Sequence, residues 1–464
     1  MDMANLFKAK NYKLDMTQGS ILANLFRFSI PLVLSSTLQL LFNAADIVVV
    51  GRFAGDNSLG AVGSTSSLIN LLVNLFIGLS IGANVVAANF FGAGKKKELR
   101  DTIHTAMTLS IISGLILTFI GVFGAKHLLI LMRSPKEVID LATVYLKIYF
   151  SGITASIIYN FGSAILRAKG DTKRPLVFLV IAGRINVVLN LFFVIGFHMD
   201  VAGVALATVI SQCVSAVLVV RCLICETDDF KLNLKKLRIE MPIFIKIIKI
   251  GVPAGIQGIV FSLSNVVIQS AINSFGAVVV AGNSAAFNIE GFVYTAMNGF
   301  SQGILTFASQ NLGARKPDRI KKAVKTALAC VFIIGLILGS IIAVFGVPLL
   351  KIYSKSEEVV KIGLIRLQII GFTYALCGIM DVTANSIRGI GHSFVPMLIT
   401  LLGACGVRVL WVATIFNIPQ YHSPMTIYIS YPVSWFVTFV ALLITFCYFI
   451  KKETATIKSD SFLK

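Results

Sequence analysis

Charge is scarce in this chain. Only 13% of its 464 residues are Asp, Glu, Lys or Arg, while 56% are apolar, and the mean hydropathy of +0.86 lies far outside the soluble globular range. A water-soluble domain is excluded, and the chain reads as a polytopic membrane protein. The 7 cysteines sit in or beside apolar runs, and the CxxC of Cys222 and Cys225 has no second pair, so neither a disulfide framework nor a zinc or redox centre is indicated. The 5 histidines form no HExxH and no i, i+4 pair, and no metal site or cofactor is expected. No GxGD, GxSG or paired acidic motif is present, which leaves an intramembrane enzyme as a remote alternative. "FFGAGKKK" lacks both the first Walker glycine and the Ser or Thr after the lysine, so ATP-driven pumping has no motif to carry it.

Long apolar runs are abundant instead. Runs about twenty residues long, the length that crosses a bilayer, begin near residues 28, 61, 102, 138, 175, 201, 243, 278, 322, 359, 394 and 426. They predict an all-α integral membrane fold with twelve transmembrane helices. The first run is too long for a signal-peptide core and no small-residue cleavage site follows it, so it is expected to be retained. The formal charge of +20 comes from short clusters such as "GKKKELR" and "ARKPDRIKK". Most of the 41 Lys and Arg fall in the N-terminus, the even-numbered loops and the C-terminal tail. This follows the positive-inside rule and predicts a cell-membrane protein with both termini cytoplasmic. A nucleic-acid surface would gather those charges on one soluble face with interleaved aromatics, so no nucleic acid is expected.

The chain is also internally repeated. Pro31, Asn43 and Gly60 recur as Pro253, Asn265 and Gly282; after a one-residue deletion, Gly78, Gly82, Gly92, Glu137, Arg167, Gly170 and Pro175 recur as Gly299, Gly303, Gly313, Glu358, Arg388, Gly391 and Pro396. Two six-helix units follow. Because six is even, both enter the membrane from the same side and the repeats are parallel. The expected organisation is an N-terminal six-helix lobe over 1–225, a cytoplasmic linker over 226–242, a C-terminal lobe over 243–450 and a cytoplasmic tail over 451–464. Two parallel halves suit a transporter that alternates between facing states.

Polar groups inside the spans sharpen that reading, because in hydrocarbon they must find partners or line water. In "QLLFNAADIVVVG" of the first span, Gln39, Asn43 and Asp46 extend a stripe from Ser35 along one helix face. The eighth span carries Glu290, Tyr294, Asn298 and Gln302 at i+4 spacing, and the tenth carries Tyr374, Gly378, Asp381, Asn385 and Arg388. The second span adds Asn70 and Asn74, the seventh Gln257, Asn265 and Gln269, and the fourth Ser156, Asn160, Ser163 and Arg167. The acidic residues break the internal symmetry, since the repeat mates of Asp46, Glu290 and Asp381 are Ile268, Ile69 and Asn160. One-sided carboxylates point to chemistry or charge pairing, and these three are the candidates for ion coupling and for binding a cationic substrate.

At these residues the chain resembles the multidrug and toxic compound extrusion family. The likeness rests on "SIPLVLSSTLQLLFNAADIVVVGRFAG", "LGAVG", "GLSIGANVVAANFFGAG" and "ILRAKGDTKRP", with "GVPAG", "NGFSQGILTFASQNLGAR" and "SIRGIGHSFVP" in the second half. It implies a V-shaped pair of six-helix bundles that exports organic cations in exchange for protons or sodium ions. Asp46 matches the family's acidic position in the first helix. Where one branch has an aspartate in the fifth helix this chain has Asn190, and Val260 and Cys377 stand where another branch has acidic residues in the seventh and tenth. The coupling ion, H+ or Na+, is therefore left open.

A mechanism follows from the carboxylates alone. In a partly dehydrated cavity a carboxylate holds either a proton or a cation, and their competition is exchange. The expected partners are small cationic molecules and membrane lipid, and the expected unit is a monomer. The alternative is a flippase for a lipid-linked oligosaccharide or other anionic lipid, for which Lys147, Arg184, Arg366 and Arg408 are the available intramembrane cations.

Overall fold

The computed structural model describes residues 14–132 and 138–462, so Glu137 and the chain's extreme ends lie outside the described residues. All regular structure among the described residues is helical. In chain order the helices are α1 (Ile21–Phe53), α2 (Asp56–Gly92), α3 (Lys96–Leu131), α4 (Ile139–Ser151), α5 (Ile153–Ala168), α6 (Lys173–Leu191) and α7 (Asp200–Ile224). The second half holds α8 (Met241–Asn273), α9 (Ala277–Gly313), α10 (Pro317–Val344), α11 (Gly346–Lys351), α12 (Glu357–Gly389), α13 (Phe394–Thr400), α14 (Val407–Ala413) and α15 (Pro424–Phe462).

Ten of these spans are long and apolar enough to cross a bilayer, and α4 with α5, bent by 46° at Gly152, adds an eleventh. The remaining expected span is α9. Its 37 residues are ample for a crossing, but Asn283, Asn288, Glu290, Asn298 and Gln302 dilute its apolar character. A span this polar must face protein or water rather than lipid along much of its length. Matching π-helical segments, Phe192–Gly196 and Leu401–Gly406, occur in the fifth and eleventh spans.

The chain divides into two compact units. One contains Leu34–Gly255 and the N-terminal stretch through Asp15; the other contains Met16–Val33 and Ile256–Lys464. The first helix of each repeat is thus shared, with α1 changing units just after Pro31 and α8 just after Pro253. Proline removes one i→i−4 hydrogen bond and crowds the preceding turn, which makes this the natural place for such a helix to change direction.

The repeated glycines seat these exchanged half-helices. In the first unit, a Cβ built on Gly78 would lie 2.2 Å from the backbone nitrogen of Gly255, and one on Gly82 would lie 2.4 Å from the Ile247 carbonyl oxygen. In the second unit, a Cβ on Gly299 would meet Val33 at 2.5 Å and one on Gly303 would meet the Ser29 hydroxyl at 2.6 Å. Backbones approach this closely only where small residues allow it.

The segment 226–242 is packed firmly onto the first unit. Glu226, Phe230 and Leu232 are buried. Lys169 pairs with Glu226 and Asp228 at 2.7 Å each, Arg174 bridges Asp171 and Glu226, and the Asn233 amide donates to His104 Nε2 at 3.2 Å.

Candidate functional site

In the first unit the stripe on α1 opens onto a cavity of about 240 Å³. Gln39, Asn43 and Asp46 line it from α1, Ser156, Tyr159 and Asn160 from α5, Asn186 from α6, and Thr208, Ser211 and Gln212 from α7. Spacing explains the convergence: α1, α5 and α7 contribute polar side chains three or four residues apart, so each shows one polar face to a shared space.

Asp46 is held by neutral groups. Asn190, one turn beyond Asn186, donates its amide to Asp46 Oδ1 and also, at 3.3 Å, to Asn186 Oδ1. Asn186 donates in turn to Thr208 Oγ1 at 3.4 Å. Asn190 thus supplies an amide donor to the one carboxylate among the described lining residues. No cationic side chain lines the cavity, and no ion pair to Asp46 occurs among the described residues. Lys147 and Arg184 are exposed on their helices. Asn74, half-buried on α2, is not among the lining residues.

Glu290, in the second unit, has a different setting. Arg366 donates from Nε to Glu290 Oε1 at 2.9 Å and from Nη2 to Oε2 at 2.8 Å, a bidentate pair. Its remaining Nη1 donates to Asn283 Oδ1 at 2.6 Å, and Asn283 donates to Gln269 Oε1 at 3.2 Å. The guanidinium also lies 5.5 Å from the ring of Tyr428 and 5.4 Å from that of Tyr431. Glu290 and Arg366 are both buried, so the pair is shielded from bulk water. Arg408 donates to the Ser434 hydroxyl at 2.9 Å and covers Tyr431 at 4.2 Å.

Asp381 lies beside Tyr294, whose hydroxyl accepts from Asn298 at 3.3 Å. Arg388 engages Gln257 at 2.8 Å and Asn385, and no ion pair with Asp381 occurs among the described residues. Asn265 is exposed on α8 and Gln302 half-buried on α9. The stripes read from the sequence therefore resolve into separate clusters: Gln39, Asn43, Asp46, Asn160 and Asn190 around the first-unit cavity, Glu290 with Arg366, and Asp381 with Tyr294 and Asn298.

Several participants escape a search for acidic residues. Asn186, Thr208, Ser211 and Gln212 complete the cavity, and Asn283, Tyr428 and Tyr431 complete the Arg366 pocket. The signal for the first set is present, because Asn186 and Asn190 lie at i, i+4 and Thr208, Ser211, Gln212 and Ser215 repeat at three and four residues. Nothing local marks Asn283 or Tyr431 as Arg366 partners.

Comparison with known proteins identifies the family. The MatE family profile matches residues 31–192 and 253–413, one match in each half. The chain is 25% identical to the probable multidrug resistance protein YoeA of Bacillus subtilis, over 95% of this chain and 96% of that one. It is 26% identical to the probable multidrug resistance protein NorM of Thermotoga maritima, over 85% of each chain. Among solved structures, a MOP superfamily transporter from Pyrococcus furiosus superposes with a TM-score of 0.89 at 21% identity, covering 96% of this chain and 99% of that one. The repeated helical fold, the intramembrane polar clusters and the paired profile matches lead to one conclusion: the chain belongs to the MatE family and is a multi-pass membrane transporter.

Proposed function

We propose that this transporter exports organic cations by antiport with H+ or Na+, with Asp46 as the coupling group. One observation carries the reading: Asp46 is a carboxylate without an ion-pair partner among the described residues, set in a cavity of neutral polar groups. Such a group can take a proton, an alkali cation or a cationic substrate, but not two of them at once, and that exclusivity is what antiport needs. The Asn190 amide, which also donates to Asn186 Oδ1, holds the carboxylate in place without neutralising it, while Gln39 and Asn43 supply oxygens on the same face. Asp381, beside Tyr294, is a second open carboxylate and serves the substrate or a second ion.

Glu290 contributes differently. Bound on both oxygens by Arg366, it acts as a fixed partner that shapes the second unit rather than as an exchanging group. The flippase alternative loses support from the same contacts, since Arg366 is committed to Glu290 and Asn283, and Arg408 to Ser434 and aromatic faces. The names of the relatives, probable multidrug resistance proteins, support a broad substrate range. The lysine-rich loops support a cell-membrane protein with both termini in the cytoplasm.

The test is uptake of a fluorescent organic cation into everted vesicles energised separately by a proton or a sodium gradient. Transport driven by one of the gradients is expected. Failure of both to move any cationic dye, with the protein present and folded, would remove the antiport reading.

A further inference from the structure

The second unit holds a second, larger concavity, unrelated to the clusters above. It is a groove of about 500 Å³ between α10 and α15. Lys321, Val324, Lys325 and Leu328 each lie three or four residues from another of the set, along one face of α10. Leu443, Phe446, Cys447, Ile450 and Lys451 do the same along α15, with Lys458 two turns further on. The facing stripes are polarised in the same sense. Lysines gather near the start of α10 and near the end of α15, whereas Leu328 lies further along α10 and Leu443 and Phe446 lie earlier along α15.

Both helices are membrane spans, and they present bare apolar side chains beside the groove, with Ile333 54% and Ile444 67% exposed. The surroundings of the groove are therefore acyl chains for much of its length, and its basic end meets the headgroup level. Among the described residues Asp318 is bound to Lys321 at 3.0 Å, and Glu453 of α15 faces His392 at 3.5 Å. Lys325 and Lys451, on facing helices, therefore give this end of the groove its positive charge.

We infer that this groove is a binding site for an anionic phospholipid, whose phosphate sits between Lys325 and Lys451, near Lys321, while one acyl chain lies along Leu328, Leu443 and Phe446. Charge complementarity selects the anionic headgroup, and the length of the apolar floor selects a lipid over a soluble anion. A zwitterionic lipid brings its own cation into the lysine cluster and is disfavoured there. The inference is independent of which substrate or ion the transporter exchanges.

The test uses the full-length protein in phosphatidylcholine bilayers, titrated with spin-labelled phosphatidylglycerol or spin-labelled phosphatidylcholine. Motional restriction reports relative association. The parent should prefer the anionic lipid, and Lys325→Gln with Lys451→Gln should lower that preference by roughly ten- to thirtyfold at this site. Lys322→Gln with Lys452→Gln removes the same charge from adjacent positions outside the groove and should leave most of the preference intact. Equal loss in both double variants means diffuse attraction to a basic surface and overturns the site. Competition on the parent protein gives an answer that does not depend on either variant folding: inorganic phosphate at millimolar concentration should not displace the labelled lipid. Displacement by phosphate would make the groove a soluble-anion site and overturn the lipid assignment.

Discussion

Arg366 grips both oxygens of Glu290, at 2.9 and 2.8 Å, and its third donor group is taken by Asn283. Removing one partner of a buried pair strands the other charge, at a cost of about 3–5 kcal/mol. Glu290→Gln should therefore lower thermal stability in detergent sharply, and Arg366→Met should do the same. The double variant should recover a large part of the loss, as read from a double-mutant cycle. Additive losses would show that the two residues act apart and would return Glu290 to the list of exchanging groups.

Asp46 makes the opposite case. Asp46→Asn keeps the size and the hydrogen bond from Asn190 but removes the charge. The variant should reach the membrane at normal abundance and lose gradient-driven export of a cationic dye by at least tenfold. Counterflow of preloaded substrate, which needs no net ion movement, should fall much less. Uphill export at the parent rate would transfer the coupling role to Asp381.

Asn190 is expected to act through Asp46. Asn190→Leu deletes the amide that holds the carboxylate and leaves a buried apolar group in its place. Export should fall while the dependence on pH or sodium concentration shifts, because the ionised carboxylate has lost a donor worth about 1.5–3 kcal/mol. Asn190→Asp keeps hydrogen-bonding capacity but adds a second titratable group, so the profile should broaden. Lower transport with an unshifted profile in both variants would mark Asn190 as purely structural.

Gly78 and Gly255 test the packing of the shared helices. Gly78→Val places atoms where the backbone of Gly255 already sits, and folded protein should fall below detection by fluorescence-detected size exclusion. Gly63→Ala, where nothing lies within 4 Å of the new Cβ, should be neutral within about 0.5 kcal/mol. Normal accumulation of Gly78→Val would mean that the helix contact is dispensable.

Orientation is tested by single cysteines in a cysteine-free background. Lys96→Cys, Lys173→Cys and Lys316→Cys should react with a membrane-impermeant maleimide only when the cytoplasmic face is exposed, and Ser423→Cys only from outside. Labelling of Lys173→Cys in intact cells would invert the inside-positive assignment for that loop.

Much of this was legible in one dimension. Apolar runs of spanning length determine an all-helical membrane fold, because in hydrocarbon only intrachain hydrogen bonding satisfies the backbone. The paired motifs around Pro31 and Pro253, Gly78 and Gly299 determine a duplicated architecture, and helical periodicity singles out Gln39, Asn43 and Asp46 as one face. The three carboxylates, however, look alike in sequence, each an acid inside an apolar span. Their separation is a matter of what lies across the gap. Glu290 meets Arg366 from α12, Asp46 meets Asn190 from α6, and Asp381 meets Tyr294 from α9. Coulomb and hydrogen-bond energies depend on distances of a few ångströms between atoms far apart in the chain, and helical periodicity carries no information on them. For the same reason the repeated glycines announce a close approach but not its partner. Only the packed structure shows that Gly78 and Gly82 receive the first half of α8, and Gly299 and Gly303 the first half of α1, since contact between backbones is decided by which helices meet.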